Sequence, residues 1–461
     1  MKPSTLALAA ALTAVTSLSR AQTCENGRPT DPGGAQGIGY GAAEVAYYDS
    51  SSGRARIHYA LAGVNAPPAA SSLVSDVPDA IVVAAEAADS ALERYAELSY
   101  APLLGDGDSP CPSNGGSDAV DVYLLNFAAA DGQAMFDHCQ RGTPLVCSGF
   151  VLVDNDFRAG GYADTAEGLR TVVPHELFHL VQDAYDANVE RWWAEGSAQW
   201  AAKQVYPDLL DLERFLPAYF ESPWRPLNVP PTGVVASFLY ATAIWPVFLE
   251  ERYDAELVQE VYAGLQAAEG NVLSAADAAL QARGSDLGSA FLEFAQYNAA
   301  TGVRAPSSGG YAEAASYPDI ELTATATVKS GDSFDEIMSG FGAFYYSLHA
   351  DSPLALSLQA DPARVTAALV PVVDGRAQLD AVQPLPTQLE GDGIVVVAGQ
   401  SQARTDAPFT LELVAVGADS SGCSLGPPAA RGGSSTGVVL GIVVSLLGRL
   451  RARRSKSRKD S

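Results

Sequence analysis

The segment His175-Glu176-Leu177-Phe178-His179 sets two histidines four residues apart, with a glutamate beside the first. Residues i and i+4 share one face of a helix, so both imidazoles can reach a single metal ion. Glu176 lies within reach of a water on that metal, where a carboxylate can act as general base. Leu177 and Phe178 point elsewhere and can pack into a core. Pro174 suits the first turn of a helix, so the spacing predicts a helix that begins near Val173.

Catalytic zinc normally takes three protein ligands and leaves one position for water. The candidate for the third is Glu195, sixteen residues after His179, in Trp192-Trp193-Ala194-Glu195-Gly196-Ser197-Ala198-Gln199-Trp200. That distance lets a first helix finish near Tyr185, turn through Asp186 to Glu190, and return as a second helix that presents Glu195. Trp193 and Trp200 would be buried around it, and Ala194, Gly196 and Ala198 would let the helices approach closely. Asp183 and Asp186 are the alternative third ligands. Gln199 and Asp183 each follow a ligand by four residues, and either can orient it or stay solvated.

HELFH followed by WWAEGSAQW resembles the gluzincin clan of zinc metallopeptidases, the thermolysin-like group, over roughly residues 165 to 255. The resemblance implies His175, His179 and Glu195 as Zn2+ ligands, Glu176 as base, and hydrolysis of peptide bonds in a peptide or protein substrate. The chain departs from thermolysin in lacking its NExxSD segment around the third ligand and in its shorter ligand spacing, which leaves the subfamily and its pockets open. Related gluzincins often carry a tyrosine on a helix after the third ligand. Tyr240, at the start of an apolar helix expected to run to about Arg252, is the candidate oxyanion donor. Its other reading is a core or surface tyrosine. His58 and His138 are alternative donors, although His58 falls on the polar face of a strand and reads as a surface residue; His349 belongs to a later, strand-rich region. Two other classes stay open: a zinc hydrolase on a non-peptide amide or ester, and an inactive zincin-fold surface-binding protein. The intact Glu176 argues against the second.

The elements that must position these residues suggest an α+β fold, a zincin-like catalytic domain followed by a small β-sandwich. Arg54 to Leu61 alternates as a half-buried strand, and Asp76 with Pro78 marks a helix start. Val120 to Phe127 and Phe150 to Val153 are rich in β-branched and aromatic residues and read as strands. Phe150 to Val153 most closely precedes the HExxH helix. It is either the edge that holds an extended peptide or, being wholly apolar, an interior strand. Residues 22–164 are thus the α/β part of the catalytic domain and 165–301 its helical zinc-binding part, with a linker at 302–317. Short strands at Leu322–Val328, Ala343–His349, Leu354–Leu358, Ile394–Ala398 and Phe409–Val416 give a sandwich over 318–418.

The 461 residues carry a formal net charge of -26, which repels phosphate backbones and excludes nucleic acid as a partner of the folded part. Lys2, the apolar stretch from Leu6 to Leu18 and the small residues near Ala21 read as a signal peptide over 1–21. Export makes disulfides expected: Cys139 and Cys147 could close a small loop and Cys24 could then reach Cys111, a connectivity that the sequence alone leaves open. Cys423 opens a tail over 419–461, in which Gly432-Gly433 precedes an apolar run from Val438 to Leu447 and a basic end from Arg449. That order resembles the C-terminal sorting tails of exported bacterial proteins of myxobacterial type. It implies membrane contact through the tail before processing, a sorting protease as partner, and a final place on the cell surface, in the outer envelope or outside the cell. The intact mass of the natural mature protein is therefore expected to end upstream of Val438, near Cys423 or Gly432-Gly433; a mass running to Ser461 rules processing out.

Overall fold

The run Val120-Asp121-Val122-Tyr123-Leu124-Leu125 is buried almost throughout, as a strand covered on both faces must be. It is the centre of a five-stranded sheet. The strands are β1 (Val45–Asp49), β2 (Ala55–Ala60), β3 (Val120–Leu125), β4 (Gly132–Gln140) and β5 (Val146–Asp154), in the spatial order β1-β2-β3-β5-β4. β2, β3 and β5 are mutually parallel; β1 and β4 run antiparallel to their neighbours. Phe150 to Val153 therefore lies in an interior strand, and the edge nearest the HExxH helix is β4. A disulfide between Cys139 and Cys147 ties β4 to β5. Cys111 is disulfide-bonded as well. The computed structural model describes residues 26–416, apart from 108–110, 112, 128, 129, 141, 159, 230–235, 403 and 404. Cys24, Cys423, the signal peptide and the sorting tail lie outside the described residues.

One face of this sheet packs on α1 (Asp79–Glu97) and α2 (Thr165–Asp186). The other is covered by the segment before β1, where Ala35 and Tyr40 meet Tyr123, Met135, Phe150 and Leu152. That cover corrects the reading of His58 as a surface residue. It is 5% exposed, its Nε2 lies 2.7 Å from Asp121 Oδ1, and its ring stacks on Tyr123 at 4.4 Å.

The helix that carries the motif begins at Thr165, well before Val173. Asp164 caps it by accepting from the Glu167 N–H, and the Glu167 carboxylate accepts from the Ala163 N–H, a near capping box. These start signals outweigh Pro174, which sits inside the helix. After a turn the chain returns as α3 (Arg191–Val205), followed by α4 (Asp211–Phe220), α5 (Ala236–Ala241), α6 (Ile244–Arg252), α7 (Glu256–Gly264), α8 (Val272–Gln281) and α9 (Leu287–Ala299). Tyr240 is near the end of the short α5, not at the start of one helix reaching Arg252. Thr242 breaks the run, its hydroxyl lying 2.6 Å from both the Leu239 and the Trp192 carbonyl oxygens.

Residues 302–317 contribute a single 3-10 turn and two anchors, Tyr311 and Tyr317; the Tyr311 hydroxyl donates to Asn298 Oδ1 at 2.8 Å. A second sheet follows, built from β6 (Ala324–Thr327), β7 (Ser333–Met338), β8 (Ala343–Gln359), β9 (Val365–Val373), β10 (Arg376–Ala377), β11 (Gln383–Pro384), β12 (Thr387–Gly399) and β13 (Ala407–Ala415). The stretches Ala343–His349 and Leu354–Leu358 are one long strand, which pairs with β12 along most of its length and with β13 near its end. Ala343, Tyr345, Ile394 and Val396 of this sheet, with Phe341 just before β8, belong to the same core as the helices. Tyr346, Leu348, Val395, Val397 and Leu411 form a separate core on its other face. The chain is α+β.

Gly196 marks the tightest helix contact near the motif. A Cβ there would overlap Thr242 Oγ1 and come within 3.0 Å of the Thr242 carbonyl carbon. Helix propensity alone favours alanine over glycine by roughly 0.5–1 kcal/mol, whereas overpacking costs about 1–3 kcal/mol. Gly196→Ala is expected to lower the urea midpoint of the metal-free protein; a raised midpoint would show that the contact has slack.

Candidate metal centre

His175 and His179 emerge one turn apart on α2, and Glu195 comes from the second turn of α3. The three ligand atoms lie within 4.8 Å of one another. Both histidines approach with Nε2, at 3.4 and 3.5 Å from Glu195 Oε2. Zinc bonds of about 2.0–2.1 Å at a tetrahedral angle set neighbouring ligand atoms roughly 3.3 Å apart, so the donor set and its spacing fit zinc. Asp183 and Asp186 stand outside the cluster. Asp186 caps the end of α2, accepting from the Asn188 N–H at 3.0 Å. Asp183 is half-buried; burial pushes its carboxyl up to about 7, with His179 opposing and Asp186 reinforcing the shift.

Electrostatics hold the three groups together without a metal. Burial opposes the charge on His179, but hydrogen bonding and charge from Glu195, with charge from Glu176, outweigh it and push the imidazole up to about 10. Burial likewise opposes the Glu195 carboxylate, and its bonds to His175 and His179 win, holding it well below the usual range. A metal must therefore displace the His179 proton.

The orienting group behind His179 is Gln182, three residues on. Its Oε1 lies 2.9 Å from His179 Nδ1, while its Nε2 donates to the Ala194 carbonyl at 2.8 Å and reaches Ser197 Oγ at 3.2 Å. One amide thus clamps a ligand of α2 to the backbone of α3. Gln199, which shares the face of Glu195, instead donates to Asp211 at 2.7 Å. Sequence reasoning overlooked Gln182; the i, i+3 spacing from His179 was the available signal.

Glu176 is 8% exposed, and its Oε2 accepts from the Ala134 N–H of β4 at 2.7 Å. Burial raises its pKa, while His179 and His175 pull it down. The edge strand comes this close because residue 132 is glycine: a Cβ there would lie 2.5 Å from Val172 Cγ1 and 2.7 Å from Glu176 Cγ. Tyr240 also joins the group, its ring 5.6 Å from the His175 ring and 4.8 Å from that of Phe215. Burial, reinforced by Glu195 and Glu176, raises its pKa, so the phenol keeps its proton. His58 lies instead in the charge cluster across the first sheet. His349, half exposed, pairs with Asp392 and Asp351 on the second sheet.

No family model and no curated protein matches the chain. Solved structures similar to part of it include a mutant periplasmic inhibitor of g-type lysozyme from Escherichia coli, 6% identical, covering 20% of this chain and 96% of that one at a TM-score of 0.14. The Salmonella Typhimurium inhibitor is 8% identical over 19% of this chain and 95% of its own, also at 0.14. Superpositions this poor define neither fold nor activity.

A displaced proton would make metal uptake pH-dependent. His179 must be neutral to ligate and is charged below about pH 10 in the metal-free chain, so zinc affinity should rise with pH, about tenfold per unit where one proton is released. Competition titration against a chelator from weakly acidic to weakly basic pH checks this. A flat profile would mean that the proton is not displaced. Gln182→Ala should weaken zinc binding by about 10- to 100-fold, as losing a group that orients a ligand does.

Proposed function

We propose that the chain is a zinc-dependent hydrolase of peptide bonds. The observation that carries the reading is the meeting of Glu195, from a separate helix, with both HExxH histidines at ligand spacing, beside a buried Glu176 that is not part of the set. A zinc ion held by His175, His179 and Glu195 would polarise the scissile carbonyl and acidify water.

Glu176 accepts the proton of the attacking water and passes it to the leaving amine. Its burial favours that exchange, because a carboxyl with a raised pKa gains and gives up a proton near neutral pH more readily than a solvated one. The Ala134 N–H fixes one carboxylate oxygen and leaves the other for the proton. Tyr240 keeps its hydroxyl proton and supplies a donor for the oxyanion.

The edge strand β4 supports a peptide as substrate. An extended chain pairs with an exposed edge through main-chain hydrogen bonds, which read little sequence. The outer side of β4 is free of strand partners among the described residues, and its Ala134 N–H reaches Glu176. Phe150 to Val153 lies one strand further in and is not that edge. On this reading the N-terminal leader exports the enzyme and the tail holds it at the surface until processing.

Glu176→Gln should keep zinc, since Glu176 is not a ligand, and lose about 10²- to 10⁴-fold in casein hydrolysis. Activity within a few-fold of wild type would sink the assignment of the base. Tyr240→Phe should lower kcat by about 10²- to 10³-fold with zinc content unchanged; an unchanged kcat would return Tyr240 to a packing role.

A further inference from the structure

Arg191 opens α3 one turn before Glu195, so the two side chains share a face of that helix. Glu195 turns Oε2 to the imidazoles of His175 and His179, and its Oε1 lies 4.0 Å from Arg191 Nη2. That is an ion pair too long to be a hydrogen bond. The Arg191 side chain is 78% exposed and makes no hydrogen bond among the described residues. A guanidinium with five donors thus stands open to solvent at the edge of the metal centre.

Its charge reaches the groups that would do the chemistry. The Tyr240 phenol feels Glu195, Glu176 and Asp211 as negative charges and Arg191 as an opposing positive one. Asp211 is otherwise engaged, accepting from Gln199 at 2.7 Å and from Arg214 at 3.3 Å. So is Glu190, the sequence neighbour of Arg191, which accepts from the Trp192 indole N–H at 2.5 Å. Acidic residues outnumber basic ones by 54 to 28 over the chain, so acids to pair with a cation are plentiful. Arg191 nonetheless keeps only the long contact with Glu195, the carboxylate that a metal would claim.

A guanidinium presents its donors as a fork that matches a carboxylate two bonds at a time. We propose, resting on the reading of the centre as a zinc hydrolase of peptide bonds, that Arg191 is a specificity residue that binds a carboxylate on a residue flanking the scissile bond. That carboxylate is either the C-terminus of the peptide or an acidic side chain. With Glu195 committed to a metal, the carboxylate of the substrate becomes the counter-charge of Arg191. Main-chain pairing along β4 reads little sequence; a guanidinium at the rim adds the choice of which bond meets Glu176.

The test is calorimetric titration of the zinc-loaded Glu176→Gln chain, in which cleavage is slowed. The ligands are N-benzoyl-Gln-Gln-amide and three relatives that carry one carboxylate each, at the first side chain, the second side chain or the C-terminus. At least one of the three should bind about tenfold or more tighter than the neutral parent, and the one that does so names the source of the carboxylate. Adding Arg191→Gln should abolish the preference. Arg191→Lys should keep part of it, because the charge stays and the fork is lost. Lys329→Gln, which removes the same charge from the turn between β6 and β7, should leave it intact. Zinc content should be the same in every variant. Equal affinity for all four peptides, or none measurable, would overturn the proposal, as would a preference that survives Arg191→Gln or falls equally with Lys329→Gln. A loss in Arg191→Gln that is the same for all four peptides would overturn it too, since the guanidinium would then hold a neutral carbonyl. A wild-type chain that takes up no zinc or leaves casein intact sinks the zinc-hydrolase reading and this inference with it; a wild-type chain that binds zinc and cleaves casein confines any failure to Arg191.

Discussion

The carboxylate of Glu195 is the point on which the helical half turns. It is held between two imidazoles, largely out of water, and a buried charge left alone costs several kcal/mol. Only α2 and α3 lying close together bring those imidazoles to it. Their close approach is locked by Gln182, which bonds His179 on one side and the α3 backbone on the other. Gly196 in turn lets α3 lie tight against Thr242, in the turn between α5 and α6. Aromatic bulk then backs both helices: Phe178 packs edge-on against Tyr95, Tyr100 and Tyr262, and Trp193 lies against Tyr262. The clamp at the crossing and the large residues behind it answer a single requirement, that three polar groups meet in a dry place.

The first sheet has its own version of the problem. Asp121 is itself fully buried, in a strand buried almost throughout, where a polar residue is tolerated only with partners. Arg28 and His58 supply them, and Arg28 sits on a segment far away in sequence. The pairing therefore fastens the N-terminal segment across the sheet. Removing Arg28 alone would leave Asp106, Asp121 and Asp137, its acidic partners, facing one another, a larger penalty than the pair returns when intact.

Local signals in the sequence reach as far as local physics decides. The i, i+4 histidines and the return of a second helix at Glu195 follow from helical geometry and the length of one turn. They were legible in His175, His179 and Glu195, as was the α+β order. Pro174 misled, because a proline in the first turn and one in the interior look alike when the capping residues Asp164 and Glu167 lie ten and seven positions upstream. His58 misled for a different reason: alternation identifies two faces of a strand but cannot say that a distant segment covers the second. The edge strand was missed because β4, GQAMFDHCQ, lacks the apolar density of β5, and edges are under less pressure to be apolar. Gln182 has no composition signature at all. Its i, i+3 spacing from His179 is the one trace it leaves, and the fit of one amide to two helices gives that spacing its meaning.

The contact that gathers these groups also works against a metal. Glu195 lies beside His179 at a distance that would suit zinc, and its charge favours a proton on that ring. Every factor that lifts His179 would have to be overcome for it to ligate. Gln182 eases that conflict. It orients the ring through an amide, a dipole without net charge, and so adds less to the hold on the proton than a carboxylate in its place would. A neutral residue behind the histidine, with the acidic Asp183 next to it outside the cluster, is the arrangement that would leave the ring freest to give up its proton.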